Sequence, residues 1–126
     1  MTLKDCLAVT GLPGLYRLKA SRPNGIIATD IGTGKSRFIS NRKHRFTPLE
    51  SIGIYKTDGD TEALSNILNK MRENADQVPA DLAQMTDEDL RTYMASLLPD
   101  YDPDLVKPAD IRKLITWYHI LTKEDQ

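Results

Sequence analysis

Reactive side chains are scarce in this sequence. Its 126 residues hold one cysteine and two histidines. A single cysteine, Cys6, excludes an internal disulfide and fits a reducing cytoplasm. Cys6 also lies in a short apolar stretch, where a small buried role outranks that of a nucleophile. The histidines, His44 and His119, have no Cys, His or acidic partner at metal-ligand spacing. No metal and no cofactor is therefore expected. Neither Gly-x-Ser-x-Gly nor His-Glu-x-x-His occurs. With the usual catalytic players so few, the chain is expected not to be an enzyme, and no small-molecule substrate suggests itself. Long apolar runs are missing as well. None approaches the roughly 18 residues of a membrane span, so no membrane partner is expected. The opening "MTLKDCLAVTG" carries Asp5 inside its apolar stretch and lacks a signal-peptide core.

Charge of one sign is also absent overall, because the net charge is −1. That balance hides a split. Residues 1–57 hold ten Lys/Arg against three Asp/Glu, a net +7. Residues 58–126 hold seven against fifteen, a net −8. A basic half can serve a polyanion, or the two halves can attract one another.

The same division shows in hydrophobic period. In "GLYRLKAS", Tyr16, Leu18 and Ala20 alternate with Arg17 and Lys19, the pattern of a half-buried strand. "PNG" follows, and Asn24-Gly25 is expected to supply the positive-φ positions of a tight hairpin. "GIIATDI", "SRFIS" and "IGIYK" read as further strands, with "LKDCLAV" at the front. "TPLES" reads as one short helical turn started by Pro48. Five short strands with no crossover helix between them point to a small, strongly bent barrel over residues 1–57.

Residues 58–126 read as a helical subdomain. "DTEALSNILNKMREN" places Leu64, Ile67, Leu68 and Met71 on one stripe, with Asp60 as the expected N-cap. "TDEDLRTYMASLL" opens on Thr86 with Asp89 three residues on, a form of capping box. "PADIRKLITWYHILTK" starts at Pro108 and carries Ile111, Leu114, Ile115, Tyr118 and Leu121 as its stripe. The expected fold class is α+β, a five-stranded barrel followed by three helices.

Three segments together, "GLPGLYRLKASRPNGIIATDI", "LESIGIYKTDGD" and "LLPDYDPDLVKPADIRKLITWYHIL", resemble a family of small bacterial proteins described as domains of unknown function. The resemblance runs from about Leu3 to Leu121. It implies a small SH3-like barrel with a C-terminal helical segment. It implies no catalytic or binding residue.

Two motifs resemble ligand loops. "TDIGTGKS", Thr29 to Ser36, ends like a phosphate-binding P-loop. A P-loop needs Gly where Thr29 stands, and a helix after Ser36. "SRFISNRKHRF" has no helical stripe, so a glycine-rich hairpin turn with Gly32 and Gly34 is expected instead. "DYDPDL", Asp100 to Leu105, spaces its acids like a calcium loop. That loop needs Gly and Glu where Leu105 and Ile111 stand, so turn formation is the better reading.

The basic stretch "KSRFISNRKHRF" is the feature that points outward. Lys35, Arg37, Arg42, Lys43 and Arg45 could contact phosphates, with Arg17 and Lys19 extending the patch. Phe38 and Phe46 flank it, as stacking rings or as core residues. The loop could equally dock on acids such as Asp87, Glu88 and Asp89. On the last helix Trp117 and Tyr118 adjoin and cannot share one core, which makes Trp117 a candidate protein contact. The expected function is a non-enzymatic module that binds another protein or itself. The alternative is binding of RNA or single strands through residues 35–46, and an enzyme with an unrecognised site is a third reading.

Overall fold

The structure, a computed structural model, describes residues 3–124. The chain divides into two compact units, Met1–Ile52 with His119–Gln126, and Gly53–Tyr118.

The first unit is built on one antiparallel sheet. Its strands are β1 (Cys6–Val9), β2 (Tyr16–Arg22), β3 (Gly25–Asp30), β4 (Ser36–Ser40) and β5 (Phe46–Pro48). They lie in the order β4-β3-β2-β1-β5. Alternation sends Leu7, Val9, Tyr16, Ile26, Ala28 and Ile39 to one buried face, and Leu12, Leu18 and Phe46 pack against them. Burying each of the larger aliphatic side chains contributes about 1.5–3 kcal/mol, and this shared face holds the strands in register.

The sheet does not close into a barrel, SH3-like or otherwise. Its outer strands, β4 and β5, are not neighbours in the sheet. The expected fifth strand, "IGIYK", does not join it. Gly53–Tyr55 instead pairs with Thr61–Ala63 as a separate two-stranded sheet in the second unit. The position left beside β1 goes to Phe46–Pro48, three residues that pair with β1. Pro48 has no N–H to extend that ladder, and a turn of 3-10 helix, Leu49–Ser51, follows at once.

Two local expectations also change. The register of β2 against β3 shifts between Leu18 and Ala20. Lys19 is the extra residue of a bulge, so the alternation slips by one. Leu18 stands opposite buried Ala28, whereas Ala20 stands opposite half-buried Ile27 and so leaves the face of Tyr16 and Leu18. At the β2–β3 turn, Arg22 pairs with Gly25, leaving Pro23 and Asn24 as the turn residues. Neither Asn24 nor Gly25 has positive φ. Pro23 fixes its own φ near about −65°, which a turn needing positive φ at its first centre cannot accept.

The second unit begins with β6 (Gly53–Tyr55) and β7 (Thr61–Ala63), followed by α1 (Leu64–Glu73) and α2 (Asp87–Leu97). α3 (Pro108–Glu124) starts in this unit, and its residues from His119 on belong to the first. The helix expected to be capped by Asp60 is displaced by three residues, with Ala63 at its N-cap. Asp58 Oδ1 accepts from Asp60 N at 2.9 Å and Gly59 takes φ +91°, so the chain turns there and Thr61–Ala63 pairs as a strand first. The other helical expectations hold. Thr86 and Asp89 form the reciprocal capping box of α2. Leu64, Ile67, Leu68 and Met71 are buried on α1, as are Ile111, Leu114, Ile115, Tyr118 and Leu121 on α3. Arg112 fastens the connection before α2, donating to the carbonyls of Leu82 at 2.7 Å and Met85 at 2.8 Å. Among the described residues no helix is long and apolar enough to cross a membrane.

Candidate functional site

The P-loop-like segment is a hairpin turn between β3 and β4. Asp30 Oδ1 accepts from the backbone N–H of Gly32 at 2.8 Å and of Thr33 at 3.3 Å. The amides that a phosphate would need are thus held by the chain's own carboxylate, an Asx turn. Gly34 donates its N–H to the Asp30 carbonyl at 2.7 Å with φ +76°. The calcium-like segment is likewise a turn, in which Asp102 Oδ1 accepts from Asp104 N at 2.9 Å.

The seven basic residues do not form one patch. Arg17 is half-buried and committed: its Nε donates to Glu124 Oε2 at 2.8 Å and its Nη1 to the Lys4 carbonyl at 2.7 Å. A second guanidinium nitrogen meets Glu124 Oε1, making the pair bidentate. That hydrogen bond from Arg17 holds the Glu124 carboxyl below the usual carboxylate range. Lys19, at the bulge, reaches Ser36 Oγ at 3.4 Å, and Ser36 Oγ also meets Thr29 Oγ1 at 2.9 Å. Lys35 stands at one end of β4, Arg37 on β4, and Arg42 and Lys43 beyond its other end. The five residues of β4 separate these groups by about 17 Å. Arg45 precedes β5, and its carbonyl accepts from Thr10 N at 3.0 Å. Beside it His44 donates from Nδ1 to the Thr10 carbonyl at 2.7 Å and rests against Gly11. Lys35, Arg37, Arg42, Lys43 and Arg45 are all exposed. Among the described residues none of these five joins an ion pair. Trp117 is half-buried on α3 while its neighbour Tyr118 is buried.

Four of the cations, Lys35, Arg37, Arg42 and Lys43, share a frame around β4, an outer strand of the sheet. The two phenylalanines separate there. Phe46 packs against the core, whereas Phe38, at the centre of β4, is 46% exposed. Phe38 stands opposite half-buried Ile27, on the face away from the core. The signal for this was present in "SRFIS": Arg37 and Ile39 alternate against Ser36, Phe38 and Ser40, and only one set can face the core. Pairing supplies what the sequence alone does not, which is that among the described residues no strand pairs with the far edge of β4.

Apart from Glu124, the titratable groups of unusual environment among the described residues are Cys6 and Tyr93, both held protonated at neutral pH. Burial pushes the Cys6 thiol up to about 11, with Arg17 opposing and Glu124 adding to the shift. Burial also pushes the Tyr93 hydroxyl up to about 12, with a smaller contribution from Tyr118. Among the described residues no group of three or more His, Cys, Asp and Glu could hold a metal ion.

The molecule is thus an α+β protein, with an open five-stranded antiparallel sheet and three α-helices among the described residues. Residues 52–121 match the family described as Domain of unknown function (DUF6852), and residues 3–49 match that described as Domain of unknown function (DUF5606). The chain belongs to the DUF6852 family. Among solved structures it is similar to that of a structural-genomics target from Bacteroides vulgatus, determined by solution NMR. The two are 30% identical with a TM-score of 0.76, over 98% of this chain and 88% of the other. No curated protein matches the chain. These likenesses bear out a bacterial family of unknown function, and the open sheet overturns the barrel that the resemblance implied.

Proposed function

We propose that this chain is a non-enzymatic binding module of the cytoplasm, and that it engages a protein partner along β4. One observation carries the reading: an outer strand of five residues with an exposed phenylalanine at its centre. Exposed strand edges are templates for pairing, and proteins that do not use them blunt them. The raised thiol and phenol fit a module better than a catalyst, since both groups stay protonated at neutral pH.

A second reading has its own observation. The five cations at Lys35, Arg37, Arg42, Lys43 and Arg45 are exposed and outside any ion pair among the described residues, as phosphate contacts would be. One experiment separates the two. A photo-crosslinking amino acid at position 38 is activated in cells, with exposed Glu50 of the same unit as the control position. The module reading expects a discrete, nuclease-resistant protein adduct at 38 and not at 50. A nuclease-sensitive adduct would assign the surface to nucleic acid, and no adduct at 38 would overturn the proposal.

A further inference from the structure

The backbone of β4 is divided by the pairing on its inner side. At the two ends of the hairpin ladder, Asp30 N donates to the Lys35 carbonyl at 2.8 Å and Asn41 N to the Asn24 carbonyl at 3.1 Å. In an antiparallel pair such hydrogen-bonded positions alternate with positions whose groups point away. The register pairs Ala28 with Arg37 and Ile26 with Ile39, which fall in phase with those ends. Arg37 and Ile39 therefore turn their N–H and C=O groups toward β3. Ser36, Phe38 and Ser40 turn theirs outward.

That edge lacks two of the usual protections, proline and a bulge, and is guarded by charge alone, with Arg37 on the face of Ile39. β5, at the other side of the sheet, is three residues long and contains Pro48. β4 has no proline, and its register against β3 runs without a bulge. Elsewhere the chain covers such an edge itself. In the second unit Asp102 N donates to the Tyr55 carbonyl at 2.8 Å and Thr57 N to the Asp100 carbonyl at 2.9 Å, covering the chain at the end of β6.

The charge around β4 selects what can pair with it. Lys35, Arg37, Arg42 and Lys43 are exposed cations along or beside the strand. The nearby acid, Asp30, is occupied by the turn amides. A second copy of β4 would bring like charges together along the same edge, which is disfavoured. An acidic strand would meet opposite charges at both ends and at Arg37.

We propose that β4 accepts an acidic, extended segment of a partner protein as an added antiparallel strand. This rests on the binding-module reading above and names the chemistry of the partner. Directly opposite Phe38 the added strand places an apolar residue, because opposite residues share a face. Its neighbours on the other face are the acids that meet Arg37. The outward groups of Phe38 make its partner a hydrogen-bonded pair, so the N–H groups of the apolar residues are the ones that bond β4.

The test is an amide NMR titration of the full chain, labelled with nitrogen-15, using a blocked octapeptide of alternating Glu and Val. Shifts are expected at Ser36, Phe38 and Ser40. A Lys/Val octapeptide should bind at least about tenfold more weakly, as should the Glu/Val peptide against an Arg37→Glu variant. N-methylation of the Val amides should abolish binding, while N-methylation of the Glu amides should leave it. No β4 shift with peptide at about 1 mM, the weak end of specific binding, would overturn the proposal. So would equal response to both peptides, or equal effects of the two methylations. Shifts of the edge on raising protein concentration alone would assign it to a second copy. Shifts given by a ten-nucleotide oligouridylate and not by the peptide would assign it to nucleic acid. The crosslink at position 38 decides the module reading independently of these peptides.

Discussion

Gly25 should be intolerant of alanine, for a steric reason that can be separated from a conformational one. An added Cβ would stand 2.2 Å from the Ile39 carbonyl oxygen and 2.8 Å from the tip of the Phe38 ring. Ordinary contact begins at 3.4 Å, so the carbonyl would have to retreat by more than 1 Å. That oxygen is backbone on the adjacent strand, in a ladder whose strands stand only about 4.8 Å apart. Its neighbour Asn41 is tied back to Asn24 at 3.1 Å, which resists the movement. Overpacking costs about 1–3 kcal/mol, and a backbone obstacle belongs at the upper end, near about 3 kcal/mol. Gly34 is the conformational control. It has φ +76° and nothing within 4 Å of an added Cβ, so Gly34→Ala should cost only about 1–2 kcal/mol, the strain of a left-handed alanine. Combining Gly25→Ala with Phe38→Ala removes the ring contact and leaves the carbonyl contact. The double variant should recover less than half of the loss. Urea unfolding, followed through the amide signals of β3 and β4, measures all three. The reasoning fails if Gly25→Ala costs no more than Gly34→Ala, or if Phe38→Ala restores full stability.

Two further outcomes follow from single contacts. Arg112→Ala removes two charge-assisted bonds to the carbonyls of Leu82 and Met85 and should cost about 2–3 kcal/mol, with faster hydrogen exchange at residues 82–85. Arg112→Lys should recover less than half, because one ammonium cannot reproduce the guanidinium fork; wild-type stability in the lysine variant would refute this. Cys6 keeps its proton to about 11 when folded, against 9.0 for an ordinary thiol. A raised folded pKa contributes stability that is present in full below pH 9 and lost as pH rises toward 11. Urea midpoints across that window should fall more steeply for the native chain than for Cys6→Ala. Thiol labelling at pH 8 should proceed only as fast as the unit opens, and labelling at the rate of a free thiol would refute the burial.

How much of this fold could be read beforehand depended on how far apart the deciding partners lie. The helices were legible because their signals are local. Thr86 and Asp89 cap α2 from three residues apart, and the α3 stripe repeats within one element. Strand existence was legible for the same reason. Strand partnership was not. "IGIYK" reads as a strand wherever it pairs, and its alternation carries no label for the sheet it joins. The turn at Asp58–Gly59 settles that choice by folding Thr61–Ala63 back onto Gly53–Tyr55. Thr61–Ala63, the strand that Gly53–Tyr55 pairs with, lies inside the segment expected as a helix, whose apolar stripe begins only at Leu64. The bulge at Lys19 and the Pro23-Asn24 turn failed to show for a related reason: each depends on where the facing strand sets its register.

The candidate site shows the same limit from the functional side. The sequence displays its cations plainly, and grouping them by chain proximity yields a continuous basic loop. Pairing distributes them otherwise. Arg17 is taken by Glu124, 107 residues away, Lys19 leans to Ser36, Arg45 lies by β5, and Lys35, Arg37, Arg42 and Lys43 bracket β4. Charge alone therefore suggested a polyanion, because cations near one another in sequence were treated as near one another in space. Once the strand order is known, the same cations border a row of outward backbone groups. A basic loop needs only phosphates to be satisfied, whereas a charged open edge needs hydrogen bonds in strand register as well. The edge is thus the more demanding requirement, and an acidic strand is a ligand that meets both at once.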